Sequence, residues 1–575
     1  MIVVGTAIYS NTLKVGFIWD DFTVIVSNEA IRKWWDLQTI WNAFNSRFIL
    51  GFTLALNYAV GKFDVTGYHV FNITAHILSA SMLYFMVRFI FETPAMKKSA
   101  LTNHADLISL FSALLFLVHP VQTTAVNYIW QRAAVLATFF YLASVVFYLK
   151  ARITSRRRYF IPAFAATIIG MFTKEFTATI PIVLVVCEFL FFGPVWRETL
   201  KRVLILLPFL LSLAVIPVTF MRSNAITMDL MRPDAVRAEK SVTTAVSAKR
   251  LDITRWVSNE TMTRKAYYLT QLNVIRTYLR LLFFPVNQNL DHDYPISHNF
   301  KDPSILLSFF LLSIIFLIAV GISGRHPSIS FGIFWFFIGL SVESLVVQKD
   351  VIFEHRLYLL TAGFAVFFTS GICLILNHRR NIIIVLCLVT GIFSISAYRR
   401  NMIWEDPITL WKDVIKKSPH KAPGYNFAAL AYGEKRDFEN AIACYKKAIE
   451  IKPDFDAATI NLGTAYAGSG KHQDAIQCYL KAVEINPDAE STISAYNNLG
   501  IEYCAIGKSD EAEKSFKKAV ETAARIDPKQ AEPAINLGML YYALKRREEA
   551  KALFEKALVI DPDNKKARRE LANIY

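Results

Sequence analysis

The sequence predicts an all-α protein, in which a polytopic transmembrane helical bundle is followed by an α-solenoid. Of the 575 residues 54% are hydrophobic, and long apolar runs recur between charged residues up to about residue 400. After about residue 400 the sequence repeats with a spacing of about 34 residues, which is long enough for a hairpin of two helices. Apolar runs of about 20 residues suit helices in lipid, where a helix satisfies its own backbone, and such repeats indicate stacked units. We predict a multispanning domain at 1–403, a linker at 404–421 and the repeats at 422–575.

Eleven membrane spans are predicted. The first, Met1–Leu13, is short for a span, so either the Lys14 side chain snorkels to the membrane surface or the chain starts upstream of Met1, and we favour the second. The other ten are the apolar runs Tyr68–Phe91, Ala105–Val118, Ala133–Leu149, Tyr159–Thr173, Phe176–Phe192, Val203–Phe220, Ser304–Ile322, Ser328–Val347, Phe353–Leu376 and Ile382–Ala397.

The basic residues predict the orientation. Every second loop is basic and is assigned to the cytoplasm, and these loops carry Lys97, Lys98, Arg152, Arg156, Arg157, Arg158, Arg197, Lys201, Arg202, Arg325, Arg379 and Arg380. The opposite loops carry Asp20 and Asp21 and the segments 119–132, 173–176, 221–303 and 348–358. An odd number of spans also places the repeats outside the cytoplasm, although Arg399 and Arg400 depart from the rule. The excess of basic residues lies in the apolar part of the chain, so nucleic-acid binding is not expected.

The second half contains four helical repeats. "YNFAALAYGEKRDFENAIACYKKAIEIKP" is followed 34 residues later by "TINLGTAYAGSGKHQDAIQCYLKAVEINP", and two further units follow. The recurring Leu-Gly, Tyr, Ala, aromatic, Ala and Pro positions match the tetratricopeptide (TPR) pattern. Residues 563–575 are predicted to form a cap helix. Such a stack binds peptides or protein segments, so any chemistry must lie in the membrane domain.

Two adjacent carboxylates, Asp20 and Asp21, stand at the outer end of the first span in "GFIWDDFTVIVSN". Like charges repel, so the pair suits a site where one carboxylate is a general base and the other orients a group or helps to bind a cation. A solvated loop that ends the first helix is the alternative.

Further polar residues occur at or inside the predicted spans. His69 begins a polar stripe on the second span, and Arg132 flanks the second outer loop. Lys174 and Glu175 interrupt a long apolar run. They form either a helix–helix salt bridge or a charged pair whose lysine points toward the compartment that holds Asp20. Polar groups at this depth usually face a bundle interior or a cavity, so simple hydrogen-bonded packing is the other interpretation.

The strongest second cluster is Glu354, His355 and Arg356 in "VIFEHRLYLL". An arginine fork at the outer boundary suits a phosphate, and interfacial snorkelling is the alternative for Arg356. The triplet 291–293, Asp-His-Asp, is a weak indication of a metal site.

In order, "FIWDDFTVIVSN", "LALNYAVGKFDVTGYHVFNITAHIL", "HPVQTTAVNYIWQRAAVLA", "TKEFTATIPIVL", "LLFFPVNQNLDHDYP" and "FEHRLYLLTAGF" resemble the transmembrane and TPR repeat-containing O-mannosyltransferases and their prokaryotic relatives. The resemblance implies a GT-C glycosyltransferase core and places the family's catalytic acidic motif on Asp20 and Asp21. "NSRFILGFTLALNY" stands where the family usually has an Arg-Pro-containing segment, and Arg47 is the counterpart of that arginine.

The resemblance implies transfer of mannose from a polyprenyl-phosphate donor to a Ser/Thr hydroxyl of a protein bound by the TPRs, outside the cytoplasm. We expect inversion at the anomeric carbon, with Asp20 as base and Asp21 as its orienting partner. Donor or substrate binding is assigned to Arg356, Lys174, Glu175, His355, Glu354, Arg132 and His69. A divalent metal is possible. The alternatives are a non-catalytic TPR scaffold for envelope assembly and an enzyme of the same fold that acts on lipid or glycan.

Overall fold

The regular secondary structure is helical throughout the ranges that the computed structural model describes, which are residues 1–193, 199–215, 262–348, 350–376 and 378–575. This confirms the all-α class. The chain divides into two compact units, and the boundary between them falls between Leu410 and Trp411. Residues 216–220 of the sixth apolar run and residues 221–261 of the long outer loop lie outside the described residues.

The first unit contains the helices α1 Ile2–Tyr9, α2 Leu37–Phe44, α3 Phe48–Gly61, α4 Val65–Glu92, α5 Ala105–Val118, α6 Gln122–Asn127, α7 Arg132–Thr154, α8 Phe160–Met171, α9 Ile180–Phe191, α10 Thr199–Leu211, α11 Arg264–Phe283, α12 Pro303–Ile322, α13 Pro327–Leu345, α14 Leu357–Ile375 and α15 Arg379–Trp404. Each of the ten clear apolar runs therefore contains a helix.

The number of complete spans differs from the prediction. Seven helical segments in the described ranges are long and apolar enough to cross a membrane. The helices α8 and α9 have 12 residues each, or about 18 Å, against about 30 Å for a hydrocarbon core. They are short because the segment between them, which contains Lys174 and Glu175, leaves the α-helix and forms a 3-10 turn at Glu175–Thr179.

Close packing of α13 against α14 places two parts of the candidate site side by side. A Cβ added to Gly332 on α13 would lie 2.5 Å from the carbonyl oxygen of Gly363 on α14. A Cβ on Gly363 would lie 2.7 Å from the Trp335 ring. Only glycine permits this approach, which is typical of helix pairs in membranes. The pair carries Glu343 near the end of α13 and Arg356 just before α14.

The second unit contains four helical hairpins and a final helix, formed by α17 Ala422–Glu434, α18 Phe438–Ile451, α19 Asp456–Gly468, α20 His472–Ile485, α21 Ser491–Ala505, α22 Ser509–Ile526, α23 Glu532–Ala543, α24 Arg547–Ile560 and α25 Lys565–Ala572. The predicted repeats and cap helix are thus observed. In three hairpins a glycine faces an aromatic ring of the second helix so closely that a Cβ added to it would lie 2.5–2.7 Å from the ring: Gly463 with Tyr479, Gly500 with Phe516 and Gly538 with Phe554. The repeated Leu-Gly motif therefore sets the separation of the two helices.

The segment predicted as a linker contains a helix, α16 Pro407–Lys417. Its second half packs on the first repeat, because the Trp411 ring stacks on Phe427 with centroids 4.7 Å apart. The Val414 side chain also lies 3.4 Å from the position of a Cβ on Gly424. This helix therefore covers the exposed start of the TPR stack, as a terminal capping element must.

Candidate active site

Asp20 and Asp21 follow a residue with an unusual backbone conformation. Trp19 has a φ of 48°, which costs a non-glycine residue about 1–3 kcal/mol and persists only where the surroundings enforce it. A π-helical turn, Phe22–Val26, follows the pair. The two carboxylates are therefore presented by a constrained, irregular segment.

Asp21 fastens this segment to the second outer loop. Its Oδ2 accepts a hydrogen bond from the Ile18 amide at 3.1 Å, and its Oδ1 accepts one from the Trp130 amide at 2.8 Å. The side chain is fully buried, and burial raises the pKa of Asp21 to about 8. Because both oxygens are engaged by backbone amides, Asp21 is placed to hold the loop and not to meet a substrate.

Asp20 is held on one side only. The Tyr128 hydroxyl donates to Asp20 Oδ2 at 2.6 Å and accepts from the Asp20 amide at 3.0 Å. No hydrogen bond to Oδ1 occurs within the described ranges. Burial raises the pKa of Asp20, and Tyr128 and Arg47 act in the opposite direction. Asp20 therefore has an oriented carboxylate with one oxygen available, as a general base requires.

Arg47 and Glu175 form a two-pronged ion pair, and the charge of Arg47 acts on Asp20. The Arg47 Nε and Nη2 atoms each lie 3.0 Å from a Glu175 carboxylate oxygen. Burial alone would raise the pKa of Glu175, but Arg47 lowers it to about 2. The field of Glu175 raises the pKa of Arg47, and Asp20 contributes to the same shift. Arg47, the predicted counterpart of the family arginine, is therefore held by Glu175 and interacts electrostatically with the Asp20 carboxylate.

Lys174 and Arg356 share one carboxylate, that of Glu343. Lys174 Nζ lies 3.4 Å from Glu343 Oε1, and Arg356 Nε lies 3.4 Å from Oε2. All three side chains are buried. Burial lowers the pKa of Lys174, and Glu343 opposes that shift. Two predicted phosphate-binding cations are therefore brought together around a carboxylate that the prediction did not include.

Arg356 is also anchored by the loop before it. Its Nη1 donates to the Val351 carbonyl at 3.0 Å, and its Nη2 donates to the Asp350 carbonyl at 3.2 Å and to the Gln348 side chain. The neighbouring His355 stacks on Phe353, with ring centroids 5.2 Å apart. Its ring nitrogens make no hydrogen bond within the described ranges, and the charges of Lys174 and Arg356 act on its imidazole.

Arg132 and His69 are engaged elsewhere. The guanidinium of Arg132 is buried and donates to Asn72 Oδ1 at 2.8 Å and to the carbonyls of Thr53 and Tyr68. His69 Nε2 lies 2.8 Å from the Val15 carbonyl oxygen. Arg132 is thus bound to α3 and α4, and His69 is bound to the segment that precedes Asp20, in agreement with the packing interpretation. Direct substrate binding by either residue stays a prediction.

Glu354 also fixes loops. Its Oε1 accepts from the Asn289 amide at 2.6 Å and lies 3.1 Å from His292 Nε2. No group of three or more His, Cys, Asp or Glu side chains is placed to hold a metal ion in the described parts of the chain. The triplet at 291–293 is therefore not supported as a metal site, and a divalent metal stays a prediction without an assigned position.

Two residues of the site were missed by sequence reasoning. Glu343 is an isolated carboxylate in an apolar run, and intramembrane ionisable residues usually mark function, so this signal was available. Tyr128 carries no such signal, because a tyrosine in an outer loop near a membrane is common. Its role follows only from the fold, which brings it to Asp20 across 108 residues of sequence.

The fold and the candidate site together define an integral membrane protein with a buried cluster of charged side chains and a TPR array. The family "Tetratricopeptide repeat" matches residues 455–525 and 503–563, and "TPR repeat" matches 429–470.

Curated relatives with similar sequences are protein O-mannosyl-transferases. The chain is 29% identical to human protein O-mannosyl-transferase TMTC3 over 166 residues, which is 26% of this chain and 17% of that protein. It is 31% identical to protein O-mannosyl-transferase F38B6.6 of Caenorhabditis elegans over 159 residues, or 25% of this chain and 21% of the relative. The resemblance to the TPR-containing O-mannosyltransferases is thus confirmed, although the chain spans only about a fifth of these relatives' length.

Several of the solved structures that resemble the chain are described as TPR proteins or TPR domains. MamA matches with a TM-score of 0.25 and 26% identity, covering 28% of this chain and 89% of MamA. YrrB, described as a TPR protein with an unusual peptide-binding site, matches with a TM-score of 0.24 and 23% identity, covering 33% of this chain and 88% of YrrB.

Proposed function

We propose that the protein is a membrane glycosyltransferase that transfers mannose from a polyprenyl-phosphate donor to a Ser/Thr hydroxyl of a protein acceptor. The observation that carries the proposal is Asp20, whose carboxylate is oriented by Tyr128, retains one available oxygen and lies within the electrostatic reach of Arg47. The likeness to protein O-mannosyl-transferases supports the choice of sugar and acceptor. The site and the TPR array are proposed to lie on the extracytoplasmic side.

The proposed reaction is a single displacement. Asp20 Oδ1 accepts the proton of the acceptor hydroxyl as the hydroxyl oxygen attacks the anomeric carbon. The bond from that carbon to the phosphate oxygen breaks, and its electron pair leaves with the polyprenyl phosphate. Attack opposite the leaving group inverts the anomeric configuration. No acid is needed, because phosphate leaves readily and nearby cations stabilise its developing charge.

The donor phosphate is proposed to bind near Lys174 and Arg356. These cations are buried and share a single carboxylate, so an anionic headgroup at the membrane surface is attracted to them. Arg47 is the third cation of this region, and its charge is balanced by Glu175. The TPR array is proposed to bind the acceptor protein, which is the ordinary use of such a surface.

The test compares Asp20→Asn with Asp21→Asn in membranes that contain the full chain, supplied with radiolabelled polyprenyl-phosphate mannose. Protein-bound mannose released by alkali is the readout, since alkali cleaves sugars attached to Ser and Thr. Asp20→Asn is expected to lower transfer by about 10²–10⁴-fold because the base is lost. Asp21→Asn is expected to lower both transfer and thermal stability, since an amide cannot accept from both backbone amides.

The matched control is Asp36→Asn, in the same outer loop. Asp36 caps α2 through the Thr39 amide, and asparagine caps helices about as well, so transfer should be unchanged. Wild-type transfer by Asp20→Asn would overturn the proposed mechanism and favour the non-catalytic scaffold. Mannose found only in lipid would favour an enzyme of the same fold that glycosylates lipid.

A further inference from the structure

Glu343 occupies the position between the two cations that are proposed to bind the donor phosphate. Its oxygens lie 3.4 Å from Lys174 Nζ and 3.4 Å from Arg356 Nε. The backbone at this point is fixed, because the Glu343 carbonyl accepts a hydrogen bond from the Tyr267 hydroxyl at 3.0 Å. The position of Glu343 beside the two cations is therefore fixed by its helix and by the Tyr267 hydrogen bond.

The contacts of this carboxylate are loose. Charge-assisted hydrogen bonds are usually about 2.7–2.9 Å long, so both separations are longer than those of a tight ion pair. One carboxylate also leaves the two cations with an excess of one positive charge. A phosphate presents more oxygens and can contact both cations more fully, so it can compete with Glu343 for the same place.

The other nitrogens of Arg356 are already occupied. Nη1 and Nη2 donate to the loop 348–351, which leaves Nε as the edge that faces Glu343. An anion that contacts Arg356 at this edge must move the carboxylate. The field of Glu343 also acts on Arg47, so a displaced carboxylate still has a cation nearby and need not remain uncompensated.

We propose that Glu343 is an internal counter-ion that occupies the phosphate position between Lys174 and Arg356, that donor binding displaces it, and that its return helps to expel the product. This inference rests on the proposed function. The donor phosphate is a diester with one negative charge, whereas the released monoester carries about 1.5–2 charges at neutral pH. The product therefore binds the cations more strongly than the donor, and a competing carboxylate shortens its residence.

The test uses the full chain in nanodiscs and measures binding of a polyprenyl monophosphate and of inorganic phosphate. Glu343→Gln is expected to tighten polyprenyl monophosphate binding about ten-fold because the competing charge is gone. In transfer assays KM for the donor and kcat should fall together, since slower product release limits turnover. Lys174→Gln should weaken binding. If Glu343→Gln also binds inorganic phosphate more tightly, the effect is due to the phosphate group itself. If it binds only polyprenyl monophosphate more tightly, the effect is due to the position of the lipid headgroup.

The matched control is Glu188→Gln. Glu188 is a buried carboxylate that bridges Arg152 and Arg202 away from the site, so its loss should lower thermal stability without changing phosphate affinity. Should Glu343→Gln not fold, Glu343→Asp gives a second measurement. Its shorter side chain withdraws the carboxylate, and binding should tighten about two- to three-fold.

The outcomes separate this inference from the proposed function. Unchanged or weaker phosphate binding by a folded Glu343→Gln would overturn the counter-ion role and leave the transferase proposal standing. Failure of the wild-type chain to bind polyprenyl monophosphate at all would count against the lipid-linked donor itself.

Discussion

The Tyr128 hydroxyl and Asp20 are joined in both directions: the hydroxyl donates to the Asp20 carboxylate at 2.6 Å and accepts from the Asp20 amide at 3.0 Å. The tyrosine therefore fixes both the backbone and the side chain of the proposed base. This double contact occupies Oδ2, and Oδ1 is the oxygen that we propose to contact the acceptor hydroxyl.

Tyr128→Phe is expected to shift the acidic limb of the pH–rate profile to higher pH. Burial raises the pKa of Asp20 and the Tyr128 hydrogen bond lowers it, so removal of the hydroxyl raises the pKa further. A base must be deprotonated, and activity is therefore lost at a higher pH than in the wild type. The measurement is transfer rate against pH, with Tyr9→Phe as control, because the buried Tyr9 hydroxyl makes no hydrogen bond within the described ranges. An acidic limb identical to wild type would contradict the role of Tyr128.

Arg47→Lys is expected to reduce stability and transfer while keeping the charge. Lysine cannot form the two-pronged contact with Glu175. Side-chain exposures of 32% and 36% place the expected loss at about 1 kcal/mol, well below that of a fully buried pair. Thermal unfolding in detergent gives the change, and a double-mutant cycle with Glu175→Gln isolates the pair. Arg379→Lys, in the exposed pair with Asp106, is the control. Additive effects in the cycle would show that the pair contributes no coupling.

Gly500→Ala is expected to destabilise the third TPR hairpin by about 1–3 kcal/mol, because overpacking forces neighbouring groups to move. The added Cβ would lie 2.5 Å from the Phe516 ring. Hydrogen exchange of α21 and α22 in the full chain should accelerate. Gly433→Ala supplies the control, since nothing lies within 4 Å of a Cβ there and alanine favours a helix. Equal protection in both variants would argue against the glycine–aromatic contact as the determinant of helix separation.

A topology reporter fused after Tyr575 is expected to report an extracytoplasmic C-terminus. The prediction rests on the alternation of basic loops and an odd number of crossings. A reporter placed in the Arg156–Arg158 loop provides the cytoplasmic reference. A cytoplasmic signal at Tyr575 would separate the TPR array from the Asp20 side and remove its proposed role in acceptor binding.

Much of the fold was predictable because each helix depends on a local pattern. Apolar runs and the Leu-Gly repeat are visible in the sequence, and α4, α7 and the TPR hairpins appear where expected. The short helices α8 and α9 were not distinguished from spans, since composition does not reveal that the segment around Lys174 leaves the α-helix.

The sequence indicated which charged residues are candidates for the site, but it did not indicate which groups those residues contact. The charge of Arg47 acts on Asp20, Lys174 and His355, and Lys174 and Arg356 share Glu343. Their common role in a site stays a prediction. Arg132, by contrast, donates largely to backbone carbonyls. Every residue has such a carbonyl, so the sequence does not indicate which ones an arginine will contact. A tertiary contact such as Tyr128 with Asp20 depends on how several helices pack, which the sequence alone does not specify.

The contact between Asp21 and the Trp130 amide has a consequence for biogenesis. The two residues are 109 positions apart, and at ordinary synthesis rates the second arrives about 5–20 s after the first. Until then Asp21 has only its local hydrogen bond from the Ile18 amide, and Asp20 lacks Tyr128. Two apolar helices long enough to cross a membrane are synthesised between the two events. The contacts of the acidic pair are therefore completed only after both intervening apolar helices have been synthesised, so this part of the fold cannot form while the chain is still short.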